Sequence, residues 1–268
     1  MITNITVGSD PEFFIIQKYE DAEFPIPAYE IIPGTKSDPI DFGNGFKVLI
    51  DNVLVEGNIP PANTREEFVN NMRMLKSIIF KHFLSELRCI VLEADSYEFQ
   101  PFQLTNPIAQ TFGCAPYIDA WSKEPIYLTG LDLETRRPAG FHIHLGYELD
   151  KACKYKKEDV NIALTRAFDF FAIKPSKAIH YDEFRNKFYG GYGKMRHTSY
   201  GVEFRGLGSY MSRDEYLGST YDVVMKTIRY CSQEENITKL LSLNVSDVDN
   251  ITLVNVEELE YAINSFKE

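Results

Sequence analysis

A chain of 268 residues with 44% hydrophobic content is long enough for one substantial core, and it sits near the size above which chains divide. Its formal net charge of −11 opposes non-specific binding to nucleic-acid phosphates, and its four cysteines, with no C-x-x-C spacing, remove the usual zinc-finger and redox motifs. No run of about 18 apolar residues offers a membrane span, and the polar opening MITNITVGSDPE does not read as a secretory signal. The expectation is therefore one domain over residues 1–268, cytoplasmic, with free thiols and with neither nucleic acid nor membrane as partner.

The segment ITVGSDPEFFIIQ combines β-favouring residues with Pro11, which predicts a strand that starts or bulges there. A loop is expected from Phe24 to Asn44, punctuated by proline and glycine. FKVLIDNVLVEGNI reads as one or two strands, with Asp51 and Asn52 at the turn of a hairpin. Phe68, Met72, Leu75, Ile78, Ile79 and Phe83 then share a helical face, and Asn63 or Thr64 is placed to cap that helix. AGFHIHLGYEL predicts a strand, KEDVNIALTRAFDFFAI a buried helix, SYGVEFRGLGSYM a strand, Asp214–Tyr230 an amphipathic helix and VNVEELEYAINSF a short terminal one. Strands separated by helices, without a glycine-rich phosphate loop, predict an α+β fold with a mainly antiparallel curved sheet and helices on its outer face.

Four segments place polar side chains two residues apart, the spacing that sends both to one face of a strand. They are Asp10 and Glu12, Glu56 and Asn58, His142 and His144, and Glu203 and Arg205. In the last three, apolar residues occupy the alternate positions, among them Val55, Ile143 and Phe204. Taken singly these signals are weak: H-x-H is often a solvent-facing pair, D-P-E an ordinary turn, and E-x-R a surface ion pair of small worth. Together they put a charged face on otherwise apolar strands, which is costly unless it lines a wet or metal-filled cleft. Carboxylates with an imidazole suit magnesium or manganese better than a closed zinc site. Arg185, Arg196 and Arg205 lie in one stretch with Gly190, Gly191 and Gly193, and such arginines clamp phosphate. Metal, carboxylates and arginines point to phosphoryl transfer.

The order D-P-E-F-F, D-N-V-x-V-E-x-N-I-P-P-A, F-G-C-x-P, G-x-H-I-H-L-G, R-x-K-x-Y-G-x-x-G-x-x-R and Y-G-V-E-F-R resembles the phage carboxylate-amine ligases, the type 2 amidoligases of the glutamine synthetase superfamily. The similarity runs from about Gly8 to about Met211. It implies a glutamine-synthetase-like fold and a phage-encoded enzyme, located in the host cytoplasm, that uses ATP and Mg2+ or Mn2+. The substrates implied are a small-molecule or peptide carboxylate and an amine, joined through an acyl phosphate. The metal ligands implied are Asp10, Glu12, Glu56, His142 and Glu203. His144 is implied as a contact to phosphate or substrate, Arg205 as a phosphate clamp, and Arg185 and Arg196 as further anion contacts; Glu56, His144 and the three arginines would share the catalytic work. Asp51 is a candidate for a second carboxylate on its strand. Three positions depart from the family pattern: Gly57, Tyr117 and Phe141, which bear on the shape of the substrate pocket.

The rival readings are a guanidino-kinase-like phosphotransferase, a metallohydrolase that would not need the arginines, and a non-catalytic phage binding or structural protein. The identities of acid and amine and the oligomeric state stay open. Closing loops are expected over the Phe24–Asn44 segment and around Gly190. Cys114 is read as a buried thiol, and Trp121 as a core residue in preference to a stacking platform for adenine.

Overall fold

The computed structural model describes residues 2–20, 22–110, 117–126 and 135–250. Cys114 with its F-G-C-x-P motif, and the expected terminal helix, lie outside the described residues. The fold is mixed α and β with a large antiparallel sheet. In chain order its strands are β1 (Ile2–Lys18), β2 (Glu23–Ile26), β3 (Ile40–Gly43), β4 (Phe46–Asp51), β5 (Leu54–Asn58) and β6 (Cys89–Leu92). They continue with β7 (Ser96–Glu98), β8 (Tyr117–Asp119), β9 (Pro125–Ile126), β10 (Arg136–Pro138), β11 (Phe141–Leu149), β12 (Lys194–His197) and β13 (Gly201–Phe204). The main path runs β3-β4-β5-β1-β11-β13-β12-β8-β9; β2 and β6 pair with the far half of β1, and β7 pairs with β10 in a separate ribbon.

The long first strand organises the sheet because it changes partners at Pro11. Residues up to Pro11 pair with β11, Glu12 and Phe13 pair with β5, and Phe14 onward pairs with β6 and β2. A proline has no N–H to donate to a ladder, so it belongs where pairing changes over. Beyond it the run FFII is buried on both faces, which explains why it reads as continuously apolar, not alternating. Phe13 and Ile15 belong to the main core, while Phe14 and Ile16 join a smaller one with Phe99 and Leu104.

The segment expected as one loop from Phe24 to Asn44 contains β2, a short 3-10 turn at Ala28–Glu30 and β3; each piece is too short to carry a period-2 signal. The hairpin of β4 and β5 forms as expected, with Asn52 at φ +59 in its turn. Thr64 caps the Arg65–Ile79 helix by accepting from Glu67 N at 3.1 Å, and Glu67 Oε2 accepts from Asn63 N at 2.8 Å. The strand expected over Ser199–Met211 is shorter than its sequence pattern: β13 ends at Phe204 and a 3-10 turn follows at Ser209–Ser212. Among the described residues no helix is long and apolar enough to cross a membrane.

Helices Arg65–Ile79, Lys157–Phe168 and Asp214–Cys231 cover the apolar face of the sheet. Phe168 stacks on Phe204 of β13 with ring centroids 4.3 Å apart. Gly57, on β5, meets the Arg65–Ile79 helix so closely that an added Cβ would lie 2.6 Å from a Leu75 methyl. The departure at this position is thus a packing requirement on the helix side, and Phe141 is likewise buried in the core; neither shapes the cleft on the other face.

The helix predicted over residues 157–173 widens to a π-helical turn at Asp169–Ile173. There the buried Asp169 carboxylate accepts from Trp121 Nε1 at 2.6 Å and from Gly193 N at 2.7 Å, both on Oδ2. Burial pushes this carboxyl up to about 7 despite those donors. Because the folded-state value is raised, native protein holds a proton that unfolded chain releases, so this residue costs stability progressively from about pH 4 to pH 7 and by a constant amount above. Asp169→Asn keeps an oxygen for both donors and cannot ionise. Its thermal midpoint is expected to be equal to or above wild type at pH 8, with a smaller decline between pH 5 and pH 8; a wild-type pH dependence in the variant would refute this assignment.

Candidate metal and phosphate site

The face of the sheet away from the helices carries the polar set, and strand register brings it together. Glu12 of β1 pairs with Glu56 of β5, Asp10 with His142 of β11, His144 with Glu203 of β13, and Glu203 with Arg196 of β12. Directly paired residues on one face place their Cβ atoms about 5 Å apart, so five strands deliver one continuous row. The cleft over it has a volume of about 370 Å3.

Two carboxylate-rich trios emerge. In one, ligand atoms of Asp10, His144 and Glu203 lie within 4.8 Å of one another; in the other, those of Glu12, Asp51 and Glu56 do. His142 stands between them. Its Nδ1 is 3.5 Å from Asp10 Oδ1 and 3.7 Å from Glu203 Oε1, and its Nε2 is 4.0 Å from Glu12 Oε1. The imidazole is 2% exposed, yet Nε2 has no hydrogen-bond partner. A buried polar atom left without a partner costs free energy that a bound ligand would recover. Glu12 is fixed from its other oxygen, which accepts from Gly140 N at 2.6 Å. An added Cβ at Gly140 would sit 2.7 Å from His142 Nε2, so glycine is needed there for the backbone to approach both side chains.

The charges are unevenly balanced. Glu203 accepts from Arg205 and, at 3.0 Å, from Arg196 Nη1; burial would raise its carboxyl, but Arg205 beside it holds it below the ordinary range. Asp10 is also held low: burial opposes ionisation, and the neighbouring His144 and His142 overcome it. His144 is correspondingly raised, since Asp10 at 2.8 Å outweighs its burial. The second trio is poorer in cations. Lys36 lies 2.6 Å from Asp51 and 3.8 Å from Glu56. Burial, then Asp10 and Asp51, push the Glu56 carboxyl well above its usual range. Three close carboxylates with one partly exposed ammonium are the arrangement that a hard divalent cation relieves. Oxygen donors with His144 in one trio and His142 between the two fit magnesium or manganese better than zinc.

Arg205 is 5% exposed and donates to Glu203 and to the Tyr189 hydroxyl, while its Nε is buried without a partner. The rings of Tyr189 and Tyr117 lie 5.4 and 5.9 Å from its guanidinium carbon. Tyr117, the third departure, therefore backs an arginine, where an acidic residue would compete for it. Arg196, Lys36 and Lys47 line the same cleft.

Arg185 is not brought to it. Its donors all go to carbonyl oxygens, of Ala139 at 2.8 Å, Gly206 at 2.8 Å and Leu207 at 2.6 Å, with Arg205 at 3.4 Å. With each of its three nitrogens engaged by backbone, the residue 3% exposed and no part of it lining the cleft, the expectation of an anion contact is corrected to a structural one. Lys36, Lys47, Tyr189 and Tyr200 were missed from sequence, and Asp51 was weighed without being placed. The remaining histidines pack elsewhere: His180 stacks on Tyr210 with centroids 4.0 Å apart, His197 accepts from Asn161, and His82 lies against Phe42. Trp121 is held by Asp169 and Arg166.

Comparison with protein-family models and with curated proteins gives no match.

Proposed function

We propose that this chain is an ATP- and divalent-metal-dependent ligase that joins a carboxylate to an amine on a glutamine-synthetase-like sheet. The observation that carries the reading is the pair of trios bridged by His142, whose buried Nε2 has no partner, with Arg196, Arg205, Lys36 and Lys47 on the same cleft. A phosphotransfer site needs cations to spread charge over phosphate oxygens and anions to hold metal, in one place. A simple hydrolase needs only the second. The four metal-facing carboxylates named from sequence, joined by Asp51, would hold Mg2+ or Mn2+ together with His142 and His144.

Bound ions and ATP would supply a polarised terminal phosphoryl group for transfer to a substrate carboxylate, giving an acyl phosphate open to attack by an amine. Within the chain, Arg205 and Arg196 bind and orient phosphate oxygens, and the aromatic rings behind Arg205 keep water from it. Asp10 orients His144 toward the same space. Lys36 and Pro39 on one side and Tyr189 on the other come from the two segments expected to close over the site, and exclusion of water protects an acyl phosphate from hydrolysis.

The test is ADP release from ATP and Mg2+ in the presence of pooled amino acids or cell-wall peptides. The expected result is release that needs a carboxylate and an amine together, with a product lighter by one water than their sum. Phosphorylated guanidino compounds as product, or hydrolysis that proceeds without ATP, would overturn the reading.

A further inference from the structure

The two carboxylate trios are countered by different kinds of cation. In the first, Glu203 is met by Arg205 and Arg196, planar forks that project from the sheet beside it. In the second, Lys36 places its ammonium 2.6 Å from Asp51 Oδ2 and 3.8 Å from Glu56 Oε2. Those two residues and Glu12 are the carboxylates whose ligand atoms lie within 4.8 Å of one another, so an ammonium and a divalent cation would compete for the same oxygens. Lysine is a point charge on a flexible four-carbon stem, which makes it the easier of the two cations to redirect.

The backbone that carries Lys36 is pinned, and its side chain keeps room to turn. Gly34 O accepts from Ile50 N at 2.9 Å, which ties the segment to β4, and a Cβ at Gly34 would lie 2.6 Å from Val48 O, so only glycine lets the chain run this close. The next four residues close a turn, in which Asp38 N donates to Thr35 O at 3.2 Å and Thr35 N to Asp38 O at 3.0 Å. The Lys36 side chain, 44% exposed, leaves this turn into the cleft that Lys47, Arg196 and Arg205 also line. Rotation about its own stem would carry the charge from the carboxylates to the open cleft with strand and turn unmoved.

We propose that Lys36 is a displaceable counter-ion, which neutralises the Asp51 and Glu56 side of the trio, gives way when a divalent cation binds there, and turns to the phosphate that enters the cleft. The inference rests on the metal and ATP reading above. Like charges on one carboxylate repel, so the ammonium and a doubly charged ion cannot both keep full contact with Asp51. In the cleft the ammonium finds phosphate oxygens, for which lysine is a common point-charge partner. Metal on the trio and phosphate in the cleft would then favour each other's binding, through a coupling free energy carried by one side chain.

Lys36→Met, similar in length and without charge, tests this because the two halves of the proposal move in opposite directions. In calorimetric titrations with Mn2+ alone, the variant is expected to bind about three- to tenfold more tightly than wild type, the scale of one partly exposed charge-assisted hydrogen bond that need no longer be given up. With inorganic tripolyphosphate at saturating Mg2+, the same variant is expected to bind more weakly by a similar factor, since the cleft has lost a cation. A general loosening of the site would weaken both ligands. Mn2+ affinity equal to or below wild type would overturn the counter-ion role, and tripolyphosphate affinity equal to or above wild type would overturn the transfer to phosphate; in either case Mn2+ binding by wild type leaves the metal reading in place. Failure of wild type and Lys36→Met alike to bind Mn2+ would overturn both.

Discussion

Arg205→Lys is expected to lower ADP-forming turnover by about 10²–10³-fold, the usual effect of removing a donor that acts mainly in the transition state, while leaving the fold and the metal affinity nearly intact. The wild-type guanidinium serves three directions at once, with one arm on Glu203, one on the Tyr189 hydroxyl and a buried Nε that has no partner. A lysine keeps the charge beside Glu203 but not the planar fork, so it can neutralise the carboxylate or reach a phosphate oxygen, not both in fixed geometry. Stability should change little, since Arg196 also pairs with Glu203. Turnover and KM measured together distinguish the outcomes: a loss in turnover with KM for ATP nearly unchanged marks a transition-state contact, whereas a rise in KM alone marks uniform binding. A metallohydrolase would lose little activity. Full ATP-dependent ligation in the variant would remove Arg205 from the role of phosphate clamp.

The polar face itself was legible because its signal is local. Spacing by two in Asp10-x-Glu12, His142-x-His144 and Glu203-x-Arg205 decides which face each side chain takes, whatever the strand order. What faces what was not legible, because it depends on β1 exchanging β11 for β5 at Pro11, a pairing between residues more than forty positions apart in sequence. Asp51 enters the second trio through the β4–β5 hairpin, where Leu49 pairs with Glu56 and Asp51 lies two positions on; a one-residue difference in hairpin register would have sent it to the helices. Lys36 had no signal at all. It comes from an irregular segment without periodicity, and only the folded path carries its ammonium to Asp51. Gly57 shows the converse error: beside a site residue in sequence, it faces the opposite side and answers to Leu75.

Arg185 gives the sharpest test of a residue whose sequence context misleads. An arginine near three glycines looks the same whether it waits for a phosphate or ties down carbonyls, and the structure assigns the second role. Its side chain joins the residue before Gly140 to the chain leaving β13, through Ala139, Gly206 and Leu207. Gly140 in turn holds Glu12, and Arg205 immediately precedes Gly206, so the strap fixes both ends of the site from behind. Arg185→Leu preserves apolar bulk but takes the side-chain donor from the buried Ala139, Gly206 and Leu207 carbonyls, leaving Ala139 and Leu207 with the backbone donors Ser209 N and Phe141 N alone, and it leaves the buried Asp95 without its nearby positive charge, which counters the burial that raises that carboxyl. The expected cost is about 3–5 kcal/mol, as for removal of one member of a buried, hydrogen-bonded charge network. For a chain of this size that corresponds to a fall of roughly 10 °C in thermal midpoint. Arg185→Lys, able to satisfy one or two of the carbonyls, should fall between. Urea unfolding gives the stability, and calorimetry well below the midpoint gives the affinity for ATP with Mg2+, which should stay within a few-fold of wild type for Arg185→Lys. A phosphate ligand would show the reverse pattern, with stability kept and ATP affinity lost, because the energy of its hydrogen bonds would appear only when the anion is present.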